Sequence, residues 1–476
     1  MMKKFLIAAL AYFTVTTSLL AGLSLPTIFS DHMMLQRGQP VPVWGTADPG
    51  AAVMVEFAGQ TRSATADADG KWRIDLGALK ASAQPRTLKV SSSLNSESCM
   101  LEFSDVLVGE VWLCSGQSNM QWEMQNSENA EAAIAAANHP LIRLYDTPRV
   151  FSDTPSEKID SRWTACTPET ARSFSAVAYY FGRKIQQELD VPVGLLLSAW
   201  GGTLIEPWIP PCGFEGFDSL ADIRRKIDPM PKLGENPAQD HQFPTALYNG
   251  MIHAHIPFAI KGAIWYQGES NHHDGRLYID KTGAQLKGWR SLWGHDFPYY
   301  FVQIAPFQYG EEDPAILAQF WEAQAGIVKQ IPNTGMAVVS DTTTLDDIHP
   351  PNKEVPGTRL ALLALDNTYG KDVVSTGPTF KQLKELRFGK MLKVVFDSAE
   401  GLATRDGNSP DWFEIAGKDG DYKPAVAEIK GSTVLLSSPD VSRPVAMRFA
   451  WHKLATPNLM NGAGLPAPAF RAELKK

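Results

Sequence analysis

From about residue 106 to 365 the chain alternates continuous apolar runs with longer amphipathic stretches, and this rhythm limits the possible folds more than any other feature. The apolar runs are VLVGEVWL (Val106 to Leu113), VGLLLSAW (Val193 to Trp200), FAIKGAIWY (Phe258 to Tyr266), PYYFVQIAP (Pro298 to Pro306) and GMAVVSD (Gly335 to Asp341). Between and after them, helical periodicity covers Ser175 to Asp190, Arg276 to Trp293, Ala315 to Lys329 and Asn352 to Leu365. Strands apolar on both faces need cover on both faces, and intervening helices supply it in a parallel sheet. The expected fold class is α/β.

The flanks have a different texture. VPVWG (Val41 to Gly45), AVMVEFAG (Ala52 to Gly59) and KWRIDL (Lys71 to Leu76) are short and strand-like, separated by ADPGA and DADGK turns. KMLKVVFD (Lys390 to Asp397), DWFEIAG (Asp411 to Gly417), TVLLSS (Thr433 to Ser438) and PVAMRFAW (Pro444 to Trp451) repeat the pattern near the other end. At 476 residues the chain exceeds one ordinary core. The expected division is 22–105, an N-terminal β-sandwich region; 106–374, the α/β domain; and 375–476, a C-terminal β-region. Whether the two β-regions form separate modules or share one sandwich stays open. Pro210 to Gln242, rich in Pro, Gly and Asp, is expected to be a long loop over one face.

The start, MMKKFLIAALAYFTVTTSLLAG, sets Lys3 and Lys4 before an apolar run ending in small residues near Ala21. That is the layout of a signal peptide over 1–21, and the run is too short and threonine-interrupted for a membrane anchor. The expectation is an exported protein, periplasmic or extracellular, with no membrane span after cleavage. Cys99, Cys114, Cys166 and Cys212 contain no CxxC pair, which argues against a zinc site and a disulfide scaffold and leaves one bridge open. The net charge of -8 excludes a broad nucleic-acid surface, which has to be basic.

Ligands of open parallel sheets bind at the carboxyl ends of the strands. Four strand ends are chemically rich here: Ser115-Gly116-Gln117-Ser118-Asn119-Met120, Trp200-Gly201-Gly202-Thr203, Gln267-Gly268-Glu269-Ser270-Asn271, and Asp341 to Pro350, which contains Asp346, Asp347 and His349. Together they hold the parts for acyl transfer. Ser118 is a nucleophile once a base takes its proton, His349 is the base, and Asp346, three residues earlier, can orient the imidazole. The backbone N–H of Ser118, one at Gly201 or Gly202, and the Gln267 side-chain amide can converge on an oxyanion.

GQSNM, AWGGTLIEPW, IWYQGESN and DDIHPPNK, in that order, resemble the four sequence blocks of the SGNH (GDSL-type) hydrolases, and more narrowly the sialate O-acetylesterase family of carbohydrate esterases. The likeness extends from SLPTIFSDHMMLQRGQPVPVWG to FAWHKLATPNLMNGAGLPAPAF. It implies a flavodoxin-like catalytic domain, no metal or other cofactor, and hydrolysis of acetyl esters on sugar hydroxyls. Ser118 matches the nucleophile, His349 the base and Asp346 the acid, with Asp347 as the alternative; Gly202 or Gly201 matches the second-block glycine. The third block departs from the broad superfamily pattern, so Gln267 is favoured over Asn271 as oxyanion donor. Glu269 is expected to brace the site.

The functional expectation is removal of O-acetyl groups, foremost from O-acetylated sialic acids, through an acetyl-enzyme. An acetylesterase for xylan or another plant polysaccharide and a non-catalytic carbohydrate-binding protein are the rivals. His272-His273-Asp274 is a weak metal pattern without a third spaced ligand.

Overall fold

The computed structural model describes residues 22–234 and 236–475; the expected signal segment, residues 1–21, lies outside the described residues. At the centre is a mostly parallel sheet. Its spatial order is Thr334–Ala337, Tyr299–Val302, Gly262–Tyr266, Glu97–Gly116, Val193–Ala199 and His139–Asp146, all parallel, with Thr164–Cys166 added antiparallel at the edge. Val193–Ala199, Gly262–Tyr266 and Tyr299–Val302 are buried at every position, as their unbroken apolar sequence demands.

Counted from the strand before Ser118, the order is 2-3-1-4-5-6. The flavodoxin order 2-1-3-4-5 places the first strand between the second and third. Here it lies between the third and fourth because His139–Asp146, with antiparallel Thr164–Cys166 beyond it, is added outside Val193–Ala199; the other five parallel strands run 2-1-3-4-5.

Helices cover both faces. Ala176–Leu189 and Glu354–Asn367 share one core, in which Val177, Phe181 and Ile185 meet Leu360, Leu363, Leu195 and Ile264. Leu286 and Trp289 of Leu277–Trp293, and Phe320 and Trp321 of Ala315–Gln330, bury against Trp265 and Phe301 on the other. Ser175 starts the first helix by accepting the Ala178 N–H at 3.1 Å, and Asp190 ends it in the left-handed region at φ 52°.

The expected boundary at 105/106 falls inside one strand. Glu97–Gly116 pairs antiparallel with Ser82–Leu94 through its first part and joins the central sheet with its last. The N-terminal β-region and the α/β core therefore share a strand. At the other end, two four-stranded antiparallel sheets meet across Phe380, Phe396, Phe449 and Phe470, with the Phe470 ring 5.1 Å from Phe380 and 5.8 Å from Phe396. Among the described residues no strand of one β-region pairs with the other.

One local expectation needs correction, and one strand breaks the usual pattern. Residues 210–242 are not a bare loop: they hold helices Ala221–Lys226 and Pro237–Asp240, and Phe214, Leu220 and Ile227 pack with Ile209 and Ala284 in a core of their own. The strand His139–Asp146 carries no clean alternation, since Arg143 on it is buried by a two-pronged bond to Asp105, 2.6 and 3.1 Å. The four cysteines are unpaired.

Candidate active site

The four strand ends come together. The central strand ends at Gly116, whose φ of 144° and close approach exclude a side chain: a Cβ there would lie 2.2 Å from the Tyr266 carbonyl oxygen. The Gln117 N–H donates to that same oxygen at 3.0 Å, and the Gln117 side-chain oxygen accepts the Gly268 and Ser270 N–H groups at 3.3 and 3.4 Å. These bonds fix the first block to the third. Ser118 then opens the one-turn helix Ser118–Gln121, so its N–H has no intrahelical acceptor.

His349 meets Ser118, with Nε2 2.8 Å from the serine Oγ. The Trp122 ring stacks on the imidazole, with centroids 4.7 Å apart and planes at 21°. Partial burial holds the His349 pKa below the ordinary histidine value; the Lys353 charge lowers it further and Asp347 opposes. A neutral imidazole within hydrogen-bond reach of a hydroxyl is the arrangement a general base needs.

Asp347, rather than Asp346, faces the histidine. Its Oδ1 lies 3.7 Å from Nδ1 and accepts the His349 backbone N–H at 2.8 Å. A tight turn is the cause: the Asp347 N–H donates to the Thr344 carbonyl, which tucks Asp347 under the imidazole. Asp346 is exposed and lines a recess with Phe307, Gln308 and Leu345.

Gly201 lies beside Ser118, where an added Cβ would fall 3.2 Å from the serine Cβ, and the N–H groups of Gly201 and Gly202 differ. Gln121 Oε1 accepts the Gly201 N–H at 2.7 Å. The Gly202 carbonyl accepts from Gln242 Nε2 and Ser270 Oγ, at 2.9 and 3.0 Å, and φ is 75°. Its N–H has no acceptor among the described residues.

Gln267 is not brought to the hydroxyl, contrary to expectation. It is fully buried; its amide nitrogen donates to Thr203 O at 3.0 Å and Asn271 Oδ1 at 2.7 Å, and its oxygen accepts the Tyr278 hydroxyl at 2.7 Å. Both donors are used, which leaves none for an oxyanion. Asn271 is equally occupied, accepting the Ile205 N–H and donating to Glu206 and Asp274, while Lys281 bridges those two carboxylates. The pair forms a buried polar brace.

Glu269 braces too, through residues not anticipated from sequence. Asn119 donates to Glu269 Oε1 and to Ile348 O, and the buried Lys353 ammonium donates to Asn119 Oδ1. Burial raises the Glu269 pKa, and burial lowers that of Lys353 to about 7 against the pull of Glu269 and Asp347. Lys353 Nζ also lies over the Trp122 and Tyr266 rings, 5.3 and 5.8 Å from their centroids. No periodicity marks such a lysine, because lysines are almost always solvated; its nearness to His349 in DDIHPPNK is the available signal.

With this geometry in place, three comparisons agree. The family model for carbohydrate esterases, sialic acid-specific acetylesterase, matches residues 108–355. The sialate O-acetylesterases of Mus musculus and Homo sapiens are 27% and 28% identical to the chain, covering 95% of it and 95% and 92% of their own lengths. A carbohydrate acetylesterase from Xanthomonas citri superposes with a TM-score of 0.85 at 35% identity, covering 95% of this chain and 99% of its own. Fold and site thus define a carboxylic ester hydrolase of the sialate O-acetylesterase type. The chain belongs to the sialic acid-specific acetylesterase family of carbohydrate esterases, whose substrates are O-acetylated sugars.

Proposed function

We propose that this protein is an exported esterase that removes O-acetyl groups from sialic acids through an acetyl-enzyme on Ser118. The observation that carries the mechanism is the 2.8 Å contact between His349 Nε2 and Ser118 Oγ. Ser118 Oγ bonds to the acetyl carbonyl carbon as its proton passes to Nε2, and Asp347 stabilises the resulting imidazolium. The Ser118 and Gly202 N–H groups receive the oxyanion. The carbon–oxygen bond to the sugar then breaks, and the sugar oxygen takes the proton from His349. Water, giving a proton to His349, attacks the acetyl group; acetate leaves and Ser118 regains its proton.

The family supports the sialate substrate, and the Lys3-Lys4 apolar start supports export. No described helix is long and apolar enough to cross a membrane. A non-catalytic binder has no use for the Ser118–His349 contact. Acetate release from O-acetylated sialic acid and from acetylated xylan, measured side by side, tests the reading. Faster release from the sialate supports it, faster release from xylan moves the substrate to plant polysaccharide, and release from neither overturns it.

A further inference from the structure

We propose that His272, His273 and Glu312 form a binding site for one divalent transition-metal ion, with zinc(II) as the occupant their donor set fits best. Adjacent histidines lack a spaced third ligand in sequence, and Asp274 does not supply one, being engaged by Lys281 and Asn271. The fold supplies it from the loop after Tyr299–Val302. Glu312 places one carboxylate oxygen 3.1 Å from His273 Nε2, and both oxygens lie 3.2 Å from His272 Nε2. All the donor atoms fall within 4.8 Å of one another. Donors at about 2.0–2.1 Å from one tetrahedral zinc are about 3.3–3.4 Å apart, so little movement closes the set around an ion.

The hydrogen bonding points the same way. His272 Nδ1 lies 2.7 Å from the Glu269 carbonyl oxygen, and only an N–H can make that contact. In the neutral ring this leaves a lone pair on Nε2, facing the carboxylate. A metal ion between the two satisfies both acceptors, as a proton on Nε2 also would. Donation of the far ring N–H to a backbone carbonyl is also the usual way a metal-binding histidine is oriented. Glu312 Oε1 is buried without a hydrogen-bond donor. Tyr309 stacks on His272 at 4.0 Å and fixes the plane of the ring. Two nitrogens and a carboxylate suit zinc(II), while hard cations prefer all-oxygen sites.

Such an ion joins the third block to the loop bearing Glu312. That loop already holds Leu345 through the Gln308 N–H and the C-terminal β-region through Lys453, whose ammonium donates to the carbonyls of Tyr309, Gly310 and Glu312. The role is therefore a clamp, independent of the esterase mechanism.

The full chain, stripped with EDTA and dialysed, is titrated with ZnCl2 alone by calorimetry, and its thermal midpoint is read with and without zinc. The proposal expects one equivalent per chain, a raised midpoint, and affinity weakened more than about 10-fold in both His273→Ala and Glu312→Gln. His273 is largely exposed, so its replacement leaves the fold intact. Absence of binding by the wild-type chain, or variants that bind zinc as tightly as the wild type, overturns it.

Discussion

Asp347 Oδ1 accepts the His349 backbone N–H at 2.8 Å and lies 3.7 Å from Nδ1 of the same histidine. One carboxylate thus positions the residue and faces the ring nitrogen opposite the one that meets Ser118 Oγ. The geometry is looser than a buried triad bond, since Asp347 is 52% exposed.

The two aspartates can be separated directly. Asp347→Asn is expected to lower kcat by roughly 10²–10⁴-fold, while Asp346→Asn stays within about threefold because its side chain lines a recess away from the imidazole. Steady-state kinetics on a chromogenic acetyl ester decides it; equal losses would contradict the assignment.

In the proposed mechanism the acid limb of kcat/KM reports His349 in the free enzyme. Burial and the Lys353 charge lower its pKa, so the base stays neutral, and activity persists, to a pH below the ordinary histidine midpoint. At those pH values Lys353, whose own pKa is about 7, is charged and repels the imidazolium. Removing that charge in Lys353→Met therefore moves the limb upward. A limb that stays in place or moves down in the variant contradicts the coupling.

Gln267→Ala distinguishes a brace from an oxyanion donor. The change strips partners from Tyr278 OH, Thr203 O and Asn271 Oδ1 inside the protein. We expect a loss of about 3 kcal/mol or more in urea unfolding, with kcat of the folded variant within about 10-fold of wild type. Loss of an oxyanion donor costs about 10²–10³ in kcat instead.

Much of this architecture is legible in the sequence because local and global signals coincide. KWRIDL alternates cleanly and forms Lys71–Leu76; the Ser175 cap and the apolar face after it form Ala176–Leu189. Ser118 and His349 are recognisable because a hydroxyl and an imidazole at strand ends have few structural uses. Gln267 misleads because its place at a strand end says nothing about which way the amide points; buried acceptors on the loops Thr203 and Asn271 turn it inward. Asp346 and Asp347 are indistinguishable by spacing, and a single turn bond separates them. Glu312 joins His272 only through tertiary contact.

Arg359 and Asp341 make a two-pronged pair with both bonds at 2.6 Å, and Arg359 donates also to Val338 O. It anchors the helix Glu354–Asn367 to the segment leading to the His349 loop. Asp341→Ala leaves a buried guanidinium without its anion and is expected to cost about 3–5 kcal/mol in urea unfolding. A loss under about 1 kcal/mol would show the pair to be dispensable.

The central claim is that Ser118 is the nucleophile. The direct measurement is intact-protein mass after treatment with a fluorophosphonate, paired with acetate release, for wild type and Ser118→Ala. The account predicts one adduct per chain, mapped to Ser118, absent in the variant together with a fall of about 10³-fold or more in acetate release. An adduct on another residue, or near-full activity in Ser118→Ala, would contradict it.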